Sequence, residues 1–208
     1  MIELHTWTTP NGRKISIALE ELGLAYSVHP VNISKNEQFR PEFLAISPNN
    51  RIPAIVDPDG PGGKRLALFE SGAILIYLAD KTGKLLAREG AQRYAAIQWL
   101  MWQMAGFGPM LGQVHHFKRA APEKVPYAIK RYFDEAKRLY GVLDKQLAGR
   151  DYILDAYSIA DIACYPWAMR YDWQEIDLAE FPNVQRWMGT MGARPAVQRG
   201  MQVPKPPA

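Results

Sequence analysis

Asn49-Asn50-Arg51-Ile52-Pro53-Ala54-Ile55-Val56, followed after a turn-rich stretch by Phe69-Glu70-Ser71-Gly72-Ala73-Ile74, is the passage on which the fold turns. The first piece ends a loop with an Ile-Pro bond and enters a short apolar strand. Only X-Pro bonds adopt cis at low cost, and a cis proline there turns the preceding N–H and C=O outward. Those two groups can pair with an extended peptide as an added strand would. The second piece places an acid and a hydroxyl at the mouth of an apolar helix. A helix N-terminus has unpartnered N–H groups and a positive dipole end, so it favours an anion such as a carboxylate. Glu70 beside it suits an ammonium. Together they suit a ligand with an α-amino acid head and a peptide-like body. Taken singly, each has a plainer reading: Pro53 opens a strand in trans, and Glu70-Ser71 only cap a helix.

Outward from this passage, the chain reads as two regions. Ile2 to Trp7 is a strand, and Thr8-Thr9-Pro10-Asn11-Gly12 a turn. Ile15, Ala18, Leu19 and Leu22 then fall at helical spacing, closed by Gly23. Tyr26 to Val31 is a second strand, placed at a sheet edge by Pro30. A short helix around Pro41 to Ile46, strand Ala54 to Val56, strand Arg65 to Phe69 and helix Ser71 to Lys81 complete a βαβ-ββα order. Residues 1–82 are therefore expected to form an α/β, thioredoxin-like domain. A linker is expected at 83–90 and an all-helical domain at 91–208. Within it, Met104 to Gly112 must bend or break the helix begun at Ala91. Ser158-Ile159-Ala160-Asp161 is a capping box with Asp in place of Glu.

The bulk numbers narrow the function classes. Of 208 residues, 48% are apolar and 22% charged, as in a globular chain that buries a core. A net charge of +4 suits an anionic small ligand and is too small to argue for nucleic acid. The single cysteine, Cys164, allows no internal disulfide framework and agrees with a reducing cytoplasm. The N-terminus has no secretory pattern, and the apolar run near Ala73 to Ala79 is too short to span a bilayer. Neither nucleic acid nor membrane is expected as a partner.

These residues resemble the cytosolic glutathione S-transferases over roughly residues 1 to 200. Ile52-Pro53-Ala54, Glu70-Ser71-Gly72-Ala73-Ile74 and Tyr157-Ser158-Ile159-Ala160-Asp161 carry the likeness. Thr9-Pro10-Asn11-Gly12, Ser47-Pro48-Asn49-Asn50 and Gly108-Pro109-Met110-Leu111-Gly112-Gln113 are similar to the bacterial Nu class of glutathione-dependent disulfide-bond reductases. The resemblance implies that Ile52 pairs its backbone with the cysteinyl unit of glutathione, that Pro53 is cis, and that Glu70 and Ser71 hold the γ-glutamyl head. Gln38 and Arg51 are candidates for the glycyl carboxylate, Arg51 because a guanidinium suits one. It also implies two glutathiones, or oxidised glutathione, in each site. Arg131 matches a position that helps with the second, and its plainer reading is a solvated arginine on a long helix. A homodimer is expected, with Tyr94, Gln98 and Gln103 on a helix facing the partner subunit.

No tyrosine or serine stands where many transferases place one beside the thiol. Thr9 and Asn11 are instead expected to donate hydrogen bonds to a thiolate, with the free N–H groups that open the first helix. Lowering a thiol pKa by two units takes about 2.7 kcal/mol, within reach of such donors. Their plainer readings are a turn residue and a helix cap. Cys164 is expected to be a buried, inert thiol, so the reacting sulfurs are those of glutathione. His115-His116 point about 100° apart on a helix and make a poor metal site. Three activities remain open: disulfide reduction with weak transferase and peroxidase side activity, conventional conjugation of electrophiles, and a non-catalytic binding module.

Overall fold

The computed structural model describes residues 1–205. Residues 206–208, which the expected helical domain includes, lie outside the described residues. The chain divides into two compact units, residues 1–86 with those from Arg194 onward, and Ala87–Ala193.

The first unit holds a four-stranded sheet in the order β2-β1-β3-β4. The strands are β1 (Ile2–Thr6), β2 (Tyr26–Pro30), β3 (Ala54–Asp57) and β4 (Leu66–Phe69). β1 and β2 run parallel, joined by α1 (Pro10–Leu22), while β3 is antiparallel to both β1 and β4. Both strand senses and the edge position of β2 agree with the sequence. β3, central and apolar, is buried along its whole length. Short α2 (Pro41–Leu44) follows two single 3₁₀ turns, and α3 (Ser71–Thr82) follows β4. α3 is fastened to the sheet at its far end: Tyr77 donates to Asp57 at 2.6 Å, and Lys81 pairs with the same carboxylate at 3.0 Å.

The second unit contains α4 (Gly90–Trp102), α5 (Gly108–His115), α6 (Pro126–Gln146), α7 (Ile159–Ala168), four-residue α8 (Tyr171–Gln174) and α9 (Pro182–Gly192). The bend or break expected over Met104 to Gly112 takes the form of a π-type turn over Gln103–Phe107, which lets the chain stay helical into α5. One extra residue per turn absorbs the irregularity without freeing backbone groups. That turn buries Gln103 completely, so Gln103 cannot face a partner subunit as expected, whereas Tyr94 is 71% exposed. The Ser158–Asp161 capping box forms, and Asp161 also accepts from Ile153 N and Trp187 Nε1.

The region after Arg194 departs from the expected 91–208 grouping. There α10 (Pro195–Gly200) packs on α1 of the first unit. Arg194 makes a forked pair with Glu21, Arg199 pairs with Glu20, and Ser16 Oγ donates to Gly200 O at 2.6 Å. A Cβ on Gly200 would lie 2.5 Å from Ile17 Cα, so glycine alone permits this approach. Helical periodicity reports that a segment is helical; it does not report which neighbour receives it.

Candidate functional site

Strand sense gathers most of the candidate residues at one end of the sheet. β1 and β4 finish there and β3 begins there, since Ala54 pairs with both His5 and Phe69. The Ala54–Phe69 pair is the last rung of its ladder. Just beyond it, Ile52-Pro53 on one side and Glu70-Ser71 on the other leave the sheet side by side. β2, parallel to β1, also ends there and feeds the loop that carries Gln38.

The Ile52–Pro53 bond is cis. The Ile52 side chain packs against Val31, Phe43 and Ala54, which anchors the residue inward. Its N–H and C=O make no hydrogen bond among the described residues. A donor and an acceptor left on an anchored residue beside a strand are what an extended peptide needs for pairing. Arg51 is exposed and its carbonyl accepts from Ser47 Oγ at 2.8 Å. Gln38 lies in the 3₁₀ turn Glu37–Phe39, and its Oε1 is buried without a hydrogen-bond partner among the described residues.

Glu70 has φ 69° and ψ 113°, and its side chain makes no capping bond to α3. The plainer reading, a residue that only caps, does not describe it. A non-glycine residue at such φ costs on the order of 1–3 kcal/mol, and this strain sits where an exposed carboxylate meets a helix mouth. Ser71 is the first residue of α3 and is 3% exposed. The N–H groups of Gly72 and Ala73 find no backbone partner, since the first in-helix bond is Ile74 N to Glu70 O. By its backbone such a terminus, here beside a carboxylate, suits an anion.

Thr9 is the N-cap of α1, with its Oγ1 accepting from Gly12 N at 3.2 Å. The helix starts at Pro10, so Asn11 is in its first turn rather than before it. This corrects the expected supply of free N–H groups: Pro10 has none, Gly12 gives its N–H to Thr9 Oγ1 and Arg13 to Thr9 O. The Thr9 hydroxyl and Asn11 stand at this same end of α1. Gly12 is obligatory, because a Cβ there would stand 2.4 Å from both Thr6 Oγ1 and Trp7 O.

Arg131 belongs to the second unit, on α6, and lines a cavity of about 710 Å³ with Met110, Tyr127, Lys130 and Arg138. Lys130 pairs with Asp134 and Arg138 with Glu135, whereas Arg131 is exposed and has no ion pair among the described residues. Cys164 is fully buried inside α7. The described residues contain no group of three or more His, Cys, Asp or Glu placed to hold a metal. His115 accepts from Gln174 Nε2 at 3.2 Å and stacks on Trp167, a packing role.

One residue escaped the sequence reading. Lys14, in the middle of α1, is 1% exposed and donates from Nζ to Ser71 Oγ at 3.2 Å. Its signal was available: it sits four residues before Ala18, on the same stripe as the apolar positions, where a lysine is out of place.

Family models of the glutathione S-transferase N-terminal and C-terminal domains match residues 8–81 and 107–195. The chain is 53% identical to the disulfide-bond oxidoreductase YfcG of Escherichia coli K12 over 203 residues, covering 97% of this chain and 94% of that one. A glutathione transferase family member from Pseudomonas fluorescens pf-5, crystallised with two glutathione bound, superposes with TM-score 0.95 at 53% identity. The match covers 98% of this chain and 93% of that chain. A Pseudomonas putida glutathione transferase with one glutathione disulfide per subunit gives TM-score 0.93 at 49% identity, over 98% and 91% of the two chains.

Proposed function

Because the chain belongs to the glutathione S-transferase family, we propose that it is a glutathione-dependent disulfide-bond reductase whose reacting thiols are supplied by glutathione. The observation that carries this reading is Cys164, the single cysteine, held at 0% exposure in the second unit. Without a protein thiol the balanced reaction takes two glutathione and a disulfide to glutathione disulfide and two thiols. The site residues fit that ligand by type. Glu70 faces its ammonium, and Ser71 with the α3 N-terminus receives the γ-glutamyl carboxylate. The Ile52 backbone pairs with the cysteinyl unit beside Pro53, and Gln38 and Arg51 hold the glycyl end. Thr9 and Asn11 donate to the thiolate, which keeps the attacking sulfur ionised at neutral pH. Thr9 acts as donor and not as base, since its hydroxyl is far too weak an acid to lose its own proton.

Arg131, exposed and without an ion pair among the described residues, is assigned to a carboxylate of a second glutathione. Oxidised glutathione in relatives' crystals supports a site that takes two such ligands. We place the protein in a reducing compartment, where free glutathione is the thiol source, and as a homodimer through the exposed residues Tyr94, Gln98 and Met101 of α4.

The deciding experiment is glutathione-dependent reduction of bis(2-hydroxyethyl) disulfide by wild type and Cys164→Ala. Equal turnover in both is expected. Turnover lost in a folded Cys164→Ala overturns the mechanism. Inactivity of both, with fast conjugation of an aryl halide, makes the protein a conventional transferase.

A further inference from the structure

Two histidines stand beside the packing that anchors Ile52. His5 on β1 and His29 on β2 are cross-strand neighbours, and their rings stack at 4.8 Å with 20° between the planes. His5 also pairs with Ala54 of β3, two residues after Ile52. Between the two rings and Glu37, Arg40, Glu42 and Phe43 is a cavity of about 190 Å³. Phe43, its ring 6.4 Å from that of His5, forms with Val31 and Ala54 the cluster on which Ile52 packs. Val31 and Phe43 also bracket the segment that carries Gln38. The His5 ring therefore backs the packing that sets both Ile52 and Gln38.

His5 is placed for the neutral state and has somewhere to go when charged. Its Nε2 is buried without a hydrogen-bond partner among the described residues. Glu3, two residues back on the same strand face, has Oε2 3.5 Å from that nitrogen. That is too long for a good hydrogen bond but within reach of a charged ring. Of the other charges facing the cavity, Glu37 accepts from Asn32 N and pairs with Arg40, and Glu42 is exposed. Burial, then the neighbouring His29, then more weakly Arg65 hold the His5 pKa below 6.5, against an opposing pull from Glu3. A lowered folded pKa favours the neutral ring. The stacked arrangement is thus intact above pH 6.5 and gives way as pH falls through the lowered value.

We infer that His5 is a proton-sensitive positioning residue: neutral, it stacks on His29 and supports Phe43; charged, its ring turns toward Glu3 and the Ile52 and Gln38 contacts to glutathione loosen. Acid therefore releases the ligand. The inference rests on the glutathione reading and adds a regulation of that same site.

The probe is S-methylglutathione, whose thioether has no proton to lose. It is titrated calorimetrically into the full chain, His5→Phe and Glu3→Gln at pH 7.5 and pH 5.0. Wild-type affinity is expected to fall about 10-fold, the effect of about one pKa unit of coupling. His5→Phe keeps a stacked ring that cannot titrate and should change by less than about threefold. Glu3→Gln removes the destination of the charged ring and should fall between the two. Reciprocity requires the ligand to lower the His5 titration midpoint, read from ring-proton NMR, by about one unit. Plain attraction between an anionic ligand and a charged ring predicts the reverse: a raised midpoint and tighter binding in acid. Equal acid loss in wild type and His5→Phe, a Glu3→Gln that matches wild type, or a midpoint unmoved or raised by ligand each overturn the inference. If the variants do not fold, the wild-type NMR titration decides alone. Wild type that binds no S-methylglutathione at pH 7.5 and millimolar concentration takes down the glutathione reading itself. Normal binding at pH 7.5 with a flat or parallel pH dependence takes down His5 alone.

Discussion

Thr9 places one hydroxyl both at the cap of α1 and in the proposed thiol site. Its oxygen accepts from Gly12 N and caps α1, which leaves its proton to donate elsewhere. The cap and the donor are separable by substitution. Thr9→Ser keeps both and should retain activity. Thr9→Val loses both, at a stability cost of about 1 kcal/mol for the cap. Losing one hydrogen bond to the thiolate should also raise the bound thiol's pKa by about one unit, or about 1.4 kcal/mol. Thiolate absorbance of bound glutathione, followed against pH, reads that shift. A Thr9→Val titration that overlays wild type would remove Thr9 from the chemistry and leave it a cap. Lys14 and Glu70 belong to the same scale. Lys14 is sealed from solvent and Glu70 is held at positive φ, and both lie beside the start of α3.

At the scale of elements, α5 and α8 meet through a small polar core. Tyr140 donates to Gln174 Oε1 at 2.6 Å, which leaves Gln174 Nε2 to donate to Trp167 O and His115. His115 must therefore be a neutral acceptor at Nε2. Burial, with Arg170 and Arg119 nearby, lowers its pKa to about 4, against an opposing pull from Asp172. A lowered folded pKa means that this contribution to stability is present above the ordinary histidine pKa of 6.5 and is lost as pH falls toward 4. Urea melts between pH 7 and pH 4.5 should show wild type losing stability relative to His115→Leu. The differential should be about 1–2 kcal/mol, reduced from the full linkage value because the ring is partly exposed. Parallel pH dependence in the two proteins would mean that His115 does not titrate as the packing requires.

At the scale of the whole molecule, the two ends of the chain belong to one compact unit. Deleting residues 195–208 removes Val197 from full burial, the Arg199–Glu20 pair and the carbonyl that receives Ser16. Exposing that side of α1 should cost at least about 3 kcal/mol, or roughly 6–12 °C for a chain of this size. Thermal melts check it, and an unchanged midpoint would make α10 an appendage. Glutathione should recover part of the loss, because any ligand of the folded state stabilises it by mass action.

The order of strands, the edge position of β2, the Ile52-Pro53 and Glu70-Ser71 pair and the Ser158–Asp161 box were legible in the sequence because each is a local pattern. A two-residue period makes a strand, a proline restricts its neighbour, and a hydroxyl three residues before an acid closes a helix start. The π-type turn at Gln103, the docking of α10 on α1, the capping of α1 by Thr9 and the burial of Lys14 came only with the tertiary structure. Periodicity assigns a face to each helix but not the neighbour that covers it. Whether a lysine on that face is solvated or sealed depends on residues far away in sequence, here Ser71, fifty-seven positions along the chain.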